Sequence, residues 1–94
     1  MRVEVKFYAL IREATGKRRE EVELPAKSSV ADLLSLIAEK YGEDMARFIY
    51  NEEGKVRNYL SYMLNGYNIY SLSGPDTPLK DGDVLAFLPP IGGG

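Results

Sequence analysis

Ser29-Val30-Ala31-Asp32-Leu33-Leu34-Ser35-Leu36-Ile37-Ala38-Glu39-Lys40-Tyr41-Gly42 is the stretch on which the fold turns. Ser29 and Asp32 are spaced as a capping box, with Asp in place of the usual Glu. Each side chain can then satisfy a backbone N–H that the first turn leaves free. Behind them Val30, Leu33, Leu34, Ile37 and Tyr41 recur at helical spacing, and Gly42 sits where a chain often leaves a helix. The spacing predicts one amphipathic helix with a single apolar stripe, and that stripe needs a surface to lie against. Met45, Phe48 and Ile49 form a second, shorter stripe and predict a helical turn packed beside the first.

The sequence on either side supplies that surface. Upstream, Val3, Val5 and Phe7 alternate with Glu4, Lys6 and Tyr8, the pattern of a half-buried strand. Ala9–Thr15 reads as a short helical turn closed by Gly16. Residues 17–23 are charged, with Val22 and Leu24 as the clear inward positions. They predict a second strand, antiparallel to the first and placed at an edge, where charge discourages aggregation. Pro25 ends it. Downstream, residues 51–54 form a turn, residues 59–64 are β-rich, and Asn65-Gly66 is a strong hairpin signal before a return over residues 67–70. Residues 73–78 are a loop, and Asp81-Gly82 is a tight turn leading to a last strand over residues 83–88.

Strand, strand, helix, then further strands is the order of an α+β chain with a β-grasp (ubiquitin-like) fold. The expectation is a mixed sheet of about five strands with one main helix across it. Its first and last strands should be central and parallel. A single domain would span residues 1–88, followed by a flexible C-terminal tail over residues 89–94.

Composition removes much chemistry. The 94 residues carry a net charge of −2, with acids and bases interspersed, which argues against a nucleic-acid groove or a polybasic membrane surface. No apolar run approaches the length of a bilayer span, and a cytoplasmic location is expected. Without Cys there is no thiolate or disulfide, and without His the commonest general base and metal ligand is missing. The Asp81-Gly82-Asp83 carboxylates fit a turn better than a cation site, so no metal is expected. The glycines match no phosphate-binding loop, and any ATP must be bound by a partner. The seven tyrosines suit packing better than base stacking, although Tyr59, Tyr62 and Tyr67 are possible docking residues.

The ending Pro89-Pro90-Ile91-Gly92-Gly93-Gly94 has two readings. One is a frayed terminus, since glycine is costly to order. The other makes the Gly94 carboxylate the working group, on an arm without Cβ atoms that can thread a narrow channel. Fully extended, six residues reach about 20 Å. By alternation one of Phe87 and Leu88 faces the core. The other, with Ile91 beyond the stiff Pro89-Pro90, offers apolar surface at the base of the arm.

Leu79-Lys80-Asp81-Gly82-Asp83-Val84, followed by Phe87-Leu88-Pro89-Pro90-Ile91-Gly92-Gly93-Gly94, resembles the ending of the MoaD group of ubiquitin-like sulfur carriers, the small subunit of molybdopterin synthase. The opening strand with Ala9-Leu10-Ile11-Arg12-Glu13-Ala14-Thr15-Gly16, the helix start at Ser29, and Leu64-Asn65-Gly66 are similar to the same family. Two features depart from it. Gly92 replaces the small residue usual before the diglycine, and residues 42–57 are longer than in short members. The longer stretch resembles archaeal versions, some of which also serve as protein modifiers.

The resemblance implies a carrier that is not itself a catalyst. An E1-like (MoeB-like) enzyme would use ATP to adenylate Gly94, and a sulfur donor would convert the adenylate to a thiocarboxylate. Sulfur would then pass to a dithiolene precursor in the large (MoaE-like) subunit of molybdopterin synthase. On this reading Gly94 reacts, Gly92 and Gly93 give clearance, and Phe87, Leu88, Pro89, Pro90 and Ile91 bind the partner. No cofactor would be bound. The alternative is a modifier joined through Gly94 to target lysines, and a third reading is a passive interaction module with an inert tail.

Overall fold

Val3, Val5 and Phe7 are almost excluded from solvent, and the strand they build, β1 (Arg2–Phe7), lies inside a five-stranded sheet. The structure, a computed structural model, describes residues 1–89. The other strands are β2 (Arg19–Glu23), β3 (Ser61–Leu64), β4 (Tyr67–Asn68) and β5 (Val84–Leu88), in the order β2-β1-β5-β3-β4. β1 and β5 are parallel neighbours, with Phe7 level with Phe87, and the other three pairings are antiparallel. Parallel neighbours need a long crossover, which the intervening chain provides.

The main part of that crossover is α2 (Val30–Tyr41), preceded by α1 (Ala9–Thr15) and followed by α3 (Glu43–Ile49). The capping box forms as the sequence predicts. Ser29 N–H donates to Asp32 Oδ2 at 2.8 Å, and Asp32 N–H donates to Ser29 Oγ at 3.3 Å. Val30, Leu33, Leu34 and Ile37 are fully buried and join the inward strand residues in one core. Met45 and Ile49 of α3 enter the same core. Gly42 ends α2 and begins α3 with φ 83° and ψ −163°, a conformation open to glycine and hardly to other residues.

The fold therefore agrees with the expected β-grasp architecture, and the differences are local. The strand expected from Tyr59 begins only at Ser61, because Tyr59 and Leu60 form a bend. Leu60 turns inward, while Tyr59 stays exposed and stacks on Phe48 with ring centroids 6.0 Å apart. The return strand stops at Asn68, whose side chain accepts the Tyr70 N–H at 2.9 Å. That bond turns the chain into a 3-10 turn over Ile69–Ser71, which buries Ile69. Tyr62, read as a possible docking residue, is completely buried. Among the described residues no helix is long and apolar enough to cross a membrane.

Candidate functional site

The base of the tail is built by β5. Its last inward residue, Phe87, meets Phe7 at 5.5 Å and Tyr62 at 5.3 Å between ring centroids, both edge to face. Such contacts fix ring orientation as well as burying area. Phe87 is fully buried, so it does not offer surface to a partner as the sequence reading had it. Its neighbour Leu88 is the outward member of the pair, half-buried and level with Ser61 of β3. Pro89, also half-buried, has no N–H to continue the ladder, and regular pairing ends at Leu88. Pro90, Ile91, Gly92, Gly93 and Gly94 lie outside the described residues.

The other end of β5 is pinned as firmly. Gly82 takes φ 87° in the tight turn, and its N–H donates to Arg2 O at 2.8 Å. The Arg2 N–H donates to Asp81 Oδ1 at 2.7 Å, and the Lys80 N–H to Asp83 Oδ2 at 2.7 Å. The Asp81-Gly82-Asp83 carboxylates thus satisfy backbone N–H groups, as a turn requires. No group of three metal-ligating side chains occurs among the described residues.

One cluster escaped the sequence reading. Glu20 on β2 shares the inward face with Val22 and accepts hydrogen bonds from Lys17 at 3.0 Å, from Lys40 and from Tyr41. Burial alone would raise its carboxyl pKa, but the bonds from Lys40, Tyr41 and Lys17 outweigh burial and lower it to about 2. Tyr41 moves upward, through burial and then through its bond to Glu20. Glu20 therefore stays ionised at neutral pH and joins the edge strand to the end of α2. It is a lock, not an acid or a base. The alternation with Val22 was the available signal.

On the sheet face away from the helices, Val84, Ala86 and Leu88 of β5 are half-buried and lie between Met63 and Ser61 of β3 and Glu4 and Lys6 of β1. This apolar strip runs along β5 to the point where the tail begins. Tyr67 and Tyr59 are exposed, as a docking role would need.

Residues 5–94 match the ThiS family. A small archaeal modifier protein 3 from Haloferax volcanii is 31% identical over all of both chains. A molybdopterin synthase sulfur carrier subunit from Drosophila erecta is 36% identical, over 98% of this chain and 90% of that one. The solution structure of small archaeal modifier protein 1 from Methanosarcina acetivorans superposes with a TM-score of 0.82 at 31% identity, covering 99% of this chain and 96% of that one. The sheet order, the helix across it and these matches agree, and the chain belongs to the ThiS/MoaD family of ubiquitin-like sulfur carriers.

Proposed function

We propose that this chain carries sulfur on the carboxylate of Gly94 and donates it to the molybdopterin dithiolene as the small subunit of molybdopterin synthase. The observation that supports this reading is the rooting of the chain's end in β5. A central strand locked by Phe7, Tyr62 and the Asp81-Gly82 turn leads straight to Pro89, with the apolar strip of Val84, Ala86 and Leu88 beside it. A partner that grips this face holds a rigid handle on the last five residues.

The chemistry follows from the poor electrophilicity of a carboxylate. A Gly94 oxygen attacks the α-phosphorus of ATP held by an E1-like, MoeB-like partner, and pyrophosphate leaves. A reduced sulfur donor then attacks the carbonyl carbon, and AMP leaves with the oxygen it received. The resulting thiocarboxylate is a strong nucleophile toward a precursor held by a MoaE-like large subunit. Gly93 and Gly92 keep the arm narrow, and Pro89-Pro90 with Leu88 and Ile91 directs it. The chain contributes the reacting end, and its partners contribute acids, bases and nucleotide binding.

A second reading has its own support, because a relative matched over its whole length is a modifier protein. In that case a lysine amine of a target attacks the same adenylate, and an isopeptide bond replaces the thiocarboxylate. Intact-mass measurement of the protein from its own host separates the two. Exchange of oxygen for sulfur at the C-terminus, consumed by a pterin intermediate, supports the carrier. Isopeptide-linked adducts on a denaturing gel, without that exchange, support the modifier. Deleting Gly94 should abolish either reaction and leave the fold intact; unchanged turnover of that variant would refute both.

A further inference from the structure

β2 is the long edge of the sheet, since the opposite edge, β4, has only two residues. Alternate residues of an antiparallel strand turn their backbone groups to opposite sides. Met1 and Leu24 exchange both of their bonds, at 2.7 and 2.8 Å, and the Phe7 N–H donates to Arg18 O at 2.8 Å. Arg18, Glu20, Val22 and Leu24 therefore turn toward β1, and the N–H and C=O groups of Arg19, Glu21 and Glu23 point out of the sheet. No proline or bulge interrupts the edge. Such a row of groups is a template for a further strand.

The charges along the same strand select which one. On the face away from the helices the edge carries Arg19, then Glu21 and Glu23, all exposed. Arg19 stands opposite Lys6 and forms no ion pair among the described residues. Arg2 is shared between Glu21, at 3.6 Å, and Glu23, at 3.5 Å, and it reaches only one oxygen of Glu21. The other oxygen is open to a cation from outside. A strand with a cation toward one end and carboxylates toward the other is complementary to itself when run antiparallel. Centred on Glu20, Arg19 of each copy stands opposite Glu21 of the other, and those two residues are placed to exchange their outward backbone bonds. Sliding to a pairing centred on Glu21 sets two Glu21 carboxylates against each other. In the first pairing the two Glu20 side chains meet on the helix side, where each is already held by Lys17, Lys40 and Tyr41. The charges that deter unrelated strands thus admit this chain's own.

We propose that two copies of this chain associate through β2, edge to edge and antiparallel, about a two-fold axis at Glu20, so that their sheets continue as one. The contact is small, and the association is weak and reversible. β1 and β2 of each copy lie between the two β5 strands, which sets those strands about 24 Å apart. The axis makes them run in opposite directions, so their Leu88 ends face opposite ways. Only the edge is used, and β5 with its outer face stays open on both copies. A pair then presents two working ends to two partner molecules. The pairing itself does not depend on what the chain carries.

The test uses the full chain, with sedimentation velocity over a range of concentrations and amide hydrogen exchange read by NMR. The wild type should dimerise reversibly, and exchange at the Arg19 and Glu21 N–H groups should slow as concentration rises. Arg19→Glu and Glu21→Arg should each weaken dimerisation about tenfold, because each sets like charges opposite one another across the axis. The new charges face Lys6 and Glu4 on β1 and are complementary to them, so the fold should hold. The double variant, Arg19→Glu with Glu21→Arg, restores opposite charges between copies and should dimerise again. An equal mixture of the two single variants should form the mixed pair that neither forms with itself. A wild type that stays monomeric at every concentration leaves the edge to some other strand and overturns the proposal. So does a dimer that survives either single reversal, or a double variant that melts like the wild type and fails to pair. Slowed exchange at Tyr67 and Asn68, with Arg19 and Glu21 unaffected, would put the contact on the other edge and overturn it equally.

Discussion

Asn65 and Asp83, one in the β3–β4 turn and the other at the start of β5, are joined by a 2.9 Å hydrogen bond from Asn65 Nδ2 to Asp83 Oδ1. Asn65 Oδ1 accepts the Val84 N–H at 2.9 Å, and the Asn65 N–H donates to Val84 O at 2.9 Å. The same residue holds φ 52°, which asparagine tolerates better than most. One side chain thus serves a hairpin turn and clamps the strand that leads to the tail.

Asn65→Ala should lose both functions and destabilise the domain by about 2–3 kcal/mol. Asn65→Gly keeps the backbone conformation and loses only the side-chain bonds, and should cost about half as much. Urea unfolding of the two variants separates the contributions. Equal losses would mean that the backbone conformation carries no cost.

Glu20 gives the fold a pH dependence with a defined sign. Its folded-state pKa lies near 2, below the ordinary 4.5, so its stabilising effect is complete above about 4.5 and is lost as pH falls toward 2. Lys17 and Lys40 are about half exposed, and screening reduces the effect to about 1–2 kcal/mol. Glu20→Gln should be less stable than wild type at pH 7 by that amount, and the gap should close near pH 2. A gap independent of pH would show that the bond geometry matters and the charge does not.

Tyr62 is buried among Phe87 and its neighbours with a hydroxyl that has no hydrogen-bond partner among the described residues. Burial pushes its phenol pKa upward. Removing an unpaired buried oxygen while keeping the ring should help or be neutral. Tyr62→Phe should therefore match or exceed wild-type stability by up to about 1 kcal/mol, whereas Tyr62→Ala should lose about 3–5 kcal/mol through the cavity left behind. A clear loss in Tyr62→Phe would reveal a partner for the hydroxyl, such as a buried water.

Phe87 and Leu88 are adjacent and should behave oppositely. Phe87→Ala should cost about 3–5 kcal/mol of folding stability. Leu88→Asp should change stability little, because Leu88 is only half-buried, and should weaken the hold of any protein that uses the strip beside the tail. Thermal melts and partner titration on the two variants check this. Retained affinity in Leu88→Asp would remove that residue from the surface.

Much of this was legible in the sequence for local reasons. Period-two alternation marks β1, the Ser29–Asp32 spacing marks the start of α2, and Asn65-Gly66 marks the hairpin, because each signal needs only nearby residues. The misses depended on distant ones. Alternation says that one of Phe87 and Leu88 faces inward, but the register of Phe7 against Phe87 decides which. Glu20 looked like a solvent charge because its partners Lys40 and Tyr41 arrive from α2. β4 proved shorter than expected because the Asn68 side chain competes with the ladder for backbone N–H groups. At the tail, composition leaves a frayed terminus and a working carboxylate both open, and residue type does not separate a sulfur cargo from a protein target.

The parallel pairing of β1 with β5 also has a consequence for biogenesis. The strand that fills the middle of the sheet is the last of the five to leave the ribosome, so the nascent chain cannot close its interior until β5 has been made. Until then β1 and β3 have no strand between them. A chain cut short before β5 lacks the strand that joins the β1–β2 pair to the β3–β4 pair, and cannot form one sheet.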